Sequence, residues 1–124
     1  MANILIVDDA AFARSVIKSI IESAGHRVVG IAKNGKEAYE LYEMLKPDIV
    51  TMDILMGNDD GMTAIRNIRK KYPKAKIVVV SVVSFGERLD ELNKLGISGY
   101  VQKPISPEAL ISAVEKVLEE KDEG

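Results

Sequence analysis

Cysteine is absent from the 124 residues, so disulfides and thiolate chemistry are excluded, while a reducing compartment is permitted but not required. No apolar run is long enough for a membrane. The longest, Ile77 to Val83, is interrupted by Ser81 and falls far short of the ~20 residues that a spanning helix needs. An excess of positive charge is missing too: the net charge of −2 invites neither nucleic acid nor an anionic lipid surface. The N-terminus passes within a few residues into Asp8-Asp9, so it does not read as a signal peptide. No G-x-G-x-x-G occurs, which removes the dinucleotide-binding fingerprint, and no internal repeat is evident. These absences leave a small, soluble, cytoplasmic domain as the expectation. Glutamine occurs once, at Gln102, and with abundant Lys and Glu this leans towards a heat-adapted source.

What is present is ordinary globular material, 47% hydrophobic and 29% charged, with room for one domain over residues 1–124. Short β-branched runs alternate with segments of helical period. The runs are Ile4–Val7, Val28–Ile31, Ile49–Met52, Ile77–Val80 and Gly99–Val101. The first and fourth are apolar without alternation, as parallel strands buried on both faces should be. Between them, Phe12, Val16, Ile20 and Ile21 recur at helical spacing before Gly25. Asn34-Gly35-Lys36-Glu37 reads as an N-cap with a capping box, opening a helix that Pro47 ends. Met62, Ile65 and Ile68 mark a third helix that closes before Pro73. A fourth, weaker one runs from about Gly86 to Leu95 with Gly96 as C-cap, and Ser106-Pro107 opens the fifth. Five such units predict an α/β fold, a single doubly wound five-stranded parallel sheet with helices on both faces. The charged tail Glu119–Gly124 either frays or begins a linker.

In open parallel sheets, ligands sit beyond the C-terminal strand ends. The first strand delivers Asp8 and Asp9 there, the third Asp53, the fourth Ser81, and the fifth leads to Lys103. Each residue alone has an ordinary reading: such an aspartate caps a helix or makes a turn, and such a lysine is most often a solvated charge. The joint appearance of all five is much harder to assign to capping and turns. Two like charges ~4 Å apart repel by about 4 kcal/mol at an effective dielectric near 20. A hard divalent cation relieves that crowding, and carboxylates, a carbonyl and waters suit Mg²⁺. Ser81 and Lys103 then remain to hold an oxyanion, completing the parts that phosphoryl transfer uses.

The segments Ile4-Leu5-Ile6-Val7-Asp8-Asp9-Ala10, Thr51-Met52-Asp53-Ile54, Asp60-Gly61-Met62 and Tyr100-Val101-Gln102-Lys103-Pro104, in this order, carry a resemblance. Over nearly its whole length the chain resembles the CheY-like receiver domains of two-component response regulators. The resemblance implies a flavodoxin-like strand order 2-1-3-4-5 and a cis Lys103-Pro104 bond, although trans is the commoner state of X-Pro bonds. It implies that Asp53 accepts phosphate from the phosphohistidine of a histidine kinase or phosphotransfer protein. Asp9 would bind Mg²⁺ directly and Asp8 largely through water, with Asp53 and the backbone carbonyl of Leu55 completing the protein ligands. Lys103 would pair with the phosphoryl group and Ser81 would hydrogen-bond it. Ser81 and Tyr100 would form the switch, altering the face of the fourth helix, fifth strand and fifth helix where an output protein binds. Such a domain is a signalling switch whose only catalysis is its own phosphoryl transfer and slow autodephosphorylation. A stand-alone chemotaxis regulator is the natural guess, though other single-domain relays fit equally.

Three positions depart from the family's usual pattern. Gly57 stands where proline is common, which predicts a more mobile loop after Asp53. Val82 replaces a small residue, so its bulk should narrow access to the site, and Val83 is apolar where polar residues are frequent. With Leu55, Val83 would flank the path of a hydrolytic water. His26, the only histidine, reads as a surface residue, and Tyr39, Tyr42 and Tyr72 as helix-surface or packing residues. Two rivals share parts of this reading. A flavin-phosphate binder would need a hydroxyl- and glycine-rich loop where Asp8-Asp9-Ala10-Ala11 stands. An aspartyl phosphatase commonly places a second acid two residues after its nucleophile, where Leu55 stands.

Overall fold

The computed structural model describes residues 1–56, 59–84, 86 and 89–120, with only the backbone at 59, 60 and 89. The elements run β1 (Asn3–Val7), α1 (Ala11–Ser23), β2 (Arg27–Ala32), α2 (Gly35–Leu45), β3 (Ile49–Met52), β4 (Leu55–Met56), β5 (Asp59–Asp60), α3 (Gly61–Lys71), β6 (Ile77–Ser81), α4 (Leu89–Leu95), β7 (Gly99–Gln102) and α5 (Pro107–Glu119). The main sheet is ordered β2-β1-β3-β6-β7 and every pairing in it is parallel. Counting its strands alone, this is the expected 2-1-3-4-5. The Lys103-Pro104 bond is cis.

Alternation along each strand divides the core in two, because successive side chains point to opposite faces. Leu5, Val7, Val50, Met52 and Val79 face one layer, where Tyr42 of α2, Ile65 and Ile68 of α3 and Leu92 of α4 pack. Ile4, Ile6, Ile49, Val78 and Val80 face the other, against Ile17, Ile20 and Ile21 of α1 and Leu110, Val114 and Val117 of α5. Full burial of each such side chain contributes roughly 1.5–3 kcal/mol. This double coverage explains why the central strands read as unbroken apolar runs.

Helix ends follow the local chemistry. Asn34 Oδ1 accepts the Glu37 N–H at 2.8 Å, and Ser106 caps α5 by accepting the Ala109 N–H at 3.3 Å, with Pro107 in the first turn. Glu37 departs from a strict capping box: it reaches the N–H of Lys33 at 3.0 Å, one residue before the cap. Gly96 takes φ +73 after α4, as a C-cap glycine should.

Four readings are corrected. Phe12 does not join the inner stripe of α1 and is 81% exposed. A spacing of four residues drifts about 40° per repeat on a 3.6-residue helix, so the 12-16-20 stripe turns out of the core at its first member. His26 is buried, not superficial: its Nδ1 accepts the Ala2 N–H at 3.1 Å and its Nε2 lies 3.1 Å from Glu115 Oε1. Val82 is 59% exposed while Val83 is buried in the core layer beside Leu92, so only Val82 stands at the mouth. The stretch after Asp53, read as a plain loop, contains the antiparallel pair β4–β5, with Leu55 opposite Asp60. The expected mobility at Gly57 concerns a residue outside those described, as does part of the expected early start of α4.

Candidate functional site

The residues that follow β1, β3 and β7 are held by continuations of the sheet ladder. The Asp8 N–H donates to Ala32 O at 3.0 Å, the Asp53 N–H to Val7 O at 3.0 Å and the Lys103 N–H to Ser81 O at 2.8 Å. The backbone at each position is therefore fixed one residue past the strand end, and the side chains converge on one edge. Asp8, Asp53 and Ser81 are buried, Lys103 is mostly so and Asp9 is exposed.

Lys103 sits at the centre. Its Nζ donates to Asp8 Oδ2 at 2.7 Å and to Asp53 Oδ2 at 3.2 Å. The remaining carboxylate oxygens are engaged by the backbone, Asp8 Oδ1 by the Ala10 N–H at 2.9 Å and Asp53 Oδ1 by the Leu55 N–H at 3.0 Å. Arg14 adds a clamp, its Nη1 donating to the Asp8 carbonyl at 2.8 Å. Burial, the strongest influence, and the neighbouring Asp8 raise the Asp53 pKa, outweighing the Leu55 N–H and the Lys103 charge that lower it. For Lys103, burial alone would lower the pKa, but the bond to Asp8 and the charge of Asp53 prevail and raise it. One ammonium thus serves two carboxylates, leaving net negative charge in a recess.

Asp8, Asp9 and Asp53 each offer an oxygen, and these ligand atoms all lie within 4.8 Å of one another. An all-oxygen, anionic donor set with room for waters on the exposed Asp9 side fits a hard divalent cation. Ser81 Oγ is close by in the fold and accepts the Val83 N–H at 3.3 Å. Tyr100 lies on β7, beside Val79 of β6, and its partly buried ring packs on the core layer that holds Leu92. A cleft of about 480 Å³ between α2 and α3, lined by Tyr39, Glu43 and Asn67 among others, gathers none of these groups. Chemistry here is marked by convergence, not by depth.

The sequence pointed to Asp8, Asp9, Asp53, Ser81 and Lys103, and the fold brings them to one edge. Sequence reasoning missed Arg14 and the tightness of Gly61. A Cβ at Gly61 would lie 2.2 Å from Asp53 O and 2.6 Å from Ile54 Cα, so only glycine lets α3 start against the Asp53 backbone. The Asp60-Gly61 pair was the available signal for that approach.

A doubly wound sheet with paired acids, a hydroxyl and a lysine at its C-terminal edge defines a phosphoryl-handling switch of the receiver type. The chain matches the response regulator receiver domain family over residues 4–115 and belongs to it. It is 47% identical to the chemotaxis protein CheY of Thermotoga maritima, covering 93% of this chain and 96% of that protein. It is 38% identical to the chemotaxis protein CheY of Bacillus subtilis, over 94% and 97% of the two. A chain in the CheX-CheY-BeF3-Mg+2 complex from Borrelia burgdorferi superposes with a TM-score of 0.91 at 28% identity, covering 95% of this chain and 90% of that one. The chain is a phosphorylation-activated switch of two-component signalling, a signalling protein in kind. Among the described residues no helix is long and apolar enough to cross a membrane.

Proposed function

We propose that the chain is one receiver domain that accepts a phosphoryl group on Asp53, in the cytoplasm, from a histidine kinase or phosphotransfer protein. The observation that carries this reading is Lys103 Nζ bridging Asp8 and Asp53 at 2.7 and 3.2 Å in a recess that holds more acid than base. An Asp53 oxygen attacks phosphorus as the donor's N–P bond breaks, and the bond's electron pair returns to the imidazole nitrogen. Lys103, already beside Asp53, meets the new phosphoryl oxygens. Asp8, Asp9, Asp53 and the Leu55 carbonyl would hold Mg²⁺, which when bound offsets the negative charge of the phosphoryl group. The Mg²⁺ named with a CheY of another organism supports the choice of metal. The autodephosphorylation is slow, and a chemotaxis role is favoured by the CheY relatives.

Phosphate oxygens beside Ser81 offer its hydroxyl a charged acceptor and draw it inward. The Tyr100 ring then repacks, which biases the face of α4, β7 and α5 towards an output protein. This is a population shift, so the partner must prefer the phosphorylated form. The test is labelling by a small phosphodonor with Mg²⁺. One hydroxylamine-sensitive phosphoryl group per chain is expected, none in Asp53→Asn, and a Mg²⁺-dependent thermal shift that Asp9→Ala loses. Full labelling of Asp53→Asn would sink the assignment.

A further inference from the structure

Each carboxylate oxygen of Asp8 and Asp53 has a partner, but the exposed Asp9 carboxylate is held by no side chain among the described residues. Its ligand oxygen nonetheless lies within 4.8 Å of those of Asp8 and Asp53. A side chain without partners keeps its place only as well as its backbone does. A peptide unit is planar, so one hydrogen bond to its carbonyl or from its N–H orients the whole unit and the Cα at each end. The unit before Asp8 is held by the sheet, its N–H donating to Ala32 O at 3.0 Å. The unit after Asp9 is held by Asp8 Oδ1, which accepts the Ala10 N–H at 2.9 Å. The unit between Asp8 and Asp9 is held by Arg14, whose Nη1 donates to the Asp8 carbonyl at 2.8 Å.

These holds differ in what a cation would do to them. The bond through Asp8 Oδ1 draws on a carboxylate that a metal ion would also draw on. The bond from Arg14 ends on a carbonyl outside the donor set, so an ion does not compete for it. Arg14 also makes up for a weak helix start. Ala10, at the N-cap of α1, offers no side-chain acceptor, but its carbonyl takes the Arg14 N–H at 3.0 Å. One residue thus grips the loop on both sides of Asp9. We propose that Arg14 is a positioning residue for a divalent cation, orienting the Asp8–Asp9 peptide so that the Asp9 carboxylate stands ready as a ligand. The proposal rests on Asp8, Asp9 and Asp53 holding Mg²⁺. Charge and position pull in opposite directions here: loss of the guanidinium charge alone would tighten cation binding, whereas loss of its hold weakens it. Groups that orient metal ligands typically count for about 10–100-fold in affinity, so position prevails.

The test titrates Mg²⁺ into the isotope-labelled full chain at constant ionic strength and reads its dissociation constant from amide shifts by NMR. Arg14→Met keeps an unbranched stem without charge or donors, and Arg14→Lys keeps the charge but loses the fork. Lys18→Met removes an exposed charge four residues further along α1. The dissociation constant should rise about tenfold in Arg14→Met, less in Arg14→Lys, and stay within about twofold in Lys18→Met. In an Asp9→Asn chain, Arg14→Met should add less than about twofold, because the residue acts through Asp9. Unchanged or tighter binding in Arg14→Met would overturn the proposal and leave Arg14 as a charge alone. The full loss persisting in the Asp9→Asn chain would also overturn it, by moving the effect to Asp8 or to the fold. Should Arg14→Met not fold, Arg14→Lys carries the test: a role through charge predicts the wild-type constant, and positioning predicts a loss. If Mg²⁺ shifts no amide of the wild type, the metal reading itself fails, a result distinct from failure of Arg14.

Discussion

The two edges of the main sheet carry polar side chains at matching places and use them in opposite ways. At the N-terminal edge, the residue before each of three strands accepts a backbone N–H from a neighbouring strand or its start. His26, before β2, takes the Ala2 N–H at 3.1 Å; Asp48, before β3, takes that of Asn3 at 2.7 Å; Ser98, before β7, takes that of Ile77 at 3.3 Å. These groups close the sheet and leave backbone donors satisfied. At the C-terminal edge, Asp8 and Asp53 each spend one oxygen on a local N–H of their own loop, but with Lys103 they also meet one another, with charge left over. Polar residues that satisfy backbone stabilise a fold. Polar residues that face each other wait for something to be added.

The largest effect should come from forcing the backbone at the charged edge. Gly61→Ala places a Cβ against main-chain atoms of Asp53 and Ile54, neither of which can rotate aside. Misplacing a reacting group by about 1 Å costs on the order of 100-fold in rate. Labelling by a small phosphodonor should fall by about that factor, while circular dichroism still reports a folded α/β chain. A rate within threefold of wild type would show that the Asp53 backbone tolerates displacement.

The opposite edge should respond in stability alone. His26→Ala leaves the N–H of buried Ala2 without its acceptor, a loss of about 1–3 kcal/mol. Denaturant midpoints should fall accordingly while the phosphorylation rate stays within twofold. A variant as stable as wild type but slower to phosphorylate would break the division between the edges.

Asp53 sharpens it with the reverse sign. Its pKa is raised in the fold, chiefly by burial, so the folded chain holds that proton more tightly than the unfolded one. Stability is therefore lost as pH rises from the unfolded value, about 3.9, through the folded one, and the full penalty remains at neutral pH. Asp53→Asn carries no such charge and keeps the Lys103–Asp8 pair. It should melt a few degrees higher than wild type at pH 7, the gap closing below about pH 4. A lower melting temperature at pH 7 would mean that the Lys103 bond outweighs burial.

The difference between the edges also explains what the sequence could show. The strands were legible because β1, β3 and β6 are covered on both faces and read as apolar runs, and the convergent acids were legible because strand ends fix where such residues go. Phe12 was misread because a stripe at every fourth residue looks continuous over two turns and has already drifted. His26 was misread because its burial depends on α5 and on the chain start, neither of which is near in sequence. The β4–β5 pair depends on four residues with no periodicity to detect. Position along a strand is local information; what covers a loop or a helix start is not.

The smallest effect concerns how long the phosphorylated state lasts. Loss of phosphate from an aspartyl phosphate needs a water in line with the breaking bond, and a polar neighbour can hold it there. The sequence placed Leu55 and Val83 on that path, but Val83 is buried in the core layer, which leaves Leu55 with the exposed Val82 at the mouth. Leu55 is well placed to matter, since its N–H is bonded to Asp53 Oδ1 and its position relative to that oxygen is fixed. An alkyl group there can neither donate to a water nor accept from one. Leu55→Asn supplies an amide at the same backbone position. It should speed first-order decay about threefold to tenfold with Mg²⁺ present and donor removed, well short of the ~10²–10⁴ of full acid–base assistance. Val82→Asn, beside Ser81 and not on the Asp53 loop, should do less, and Val83→Thr, beneath the surface, nothing. Faster decay in Val83→Thr alone would return the water path to the buried side of the loop. Unchanged decay in all three would mean that water reaches the phosphoryl group from a direction these residues do not border.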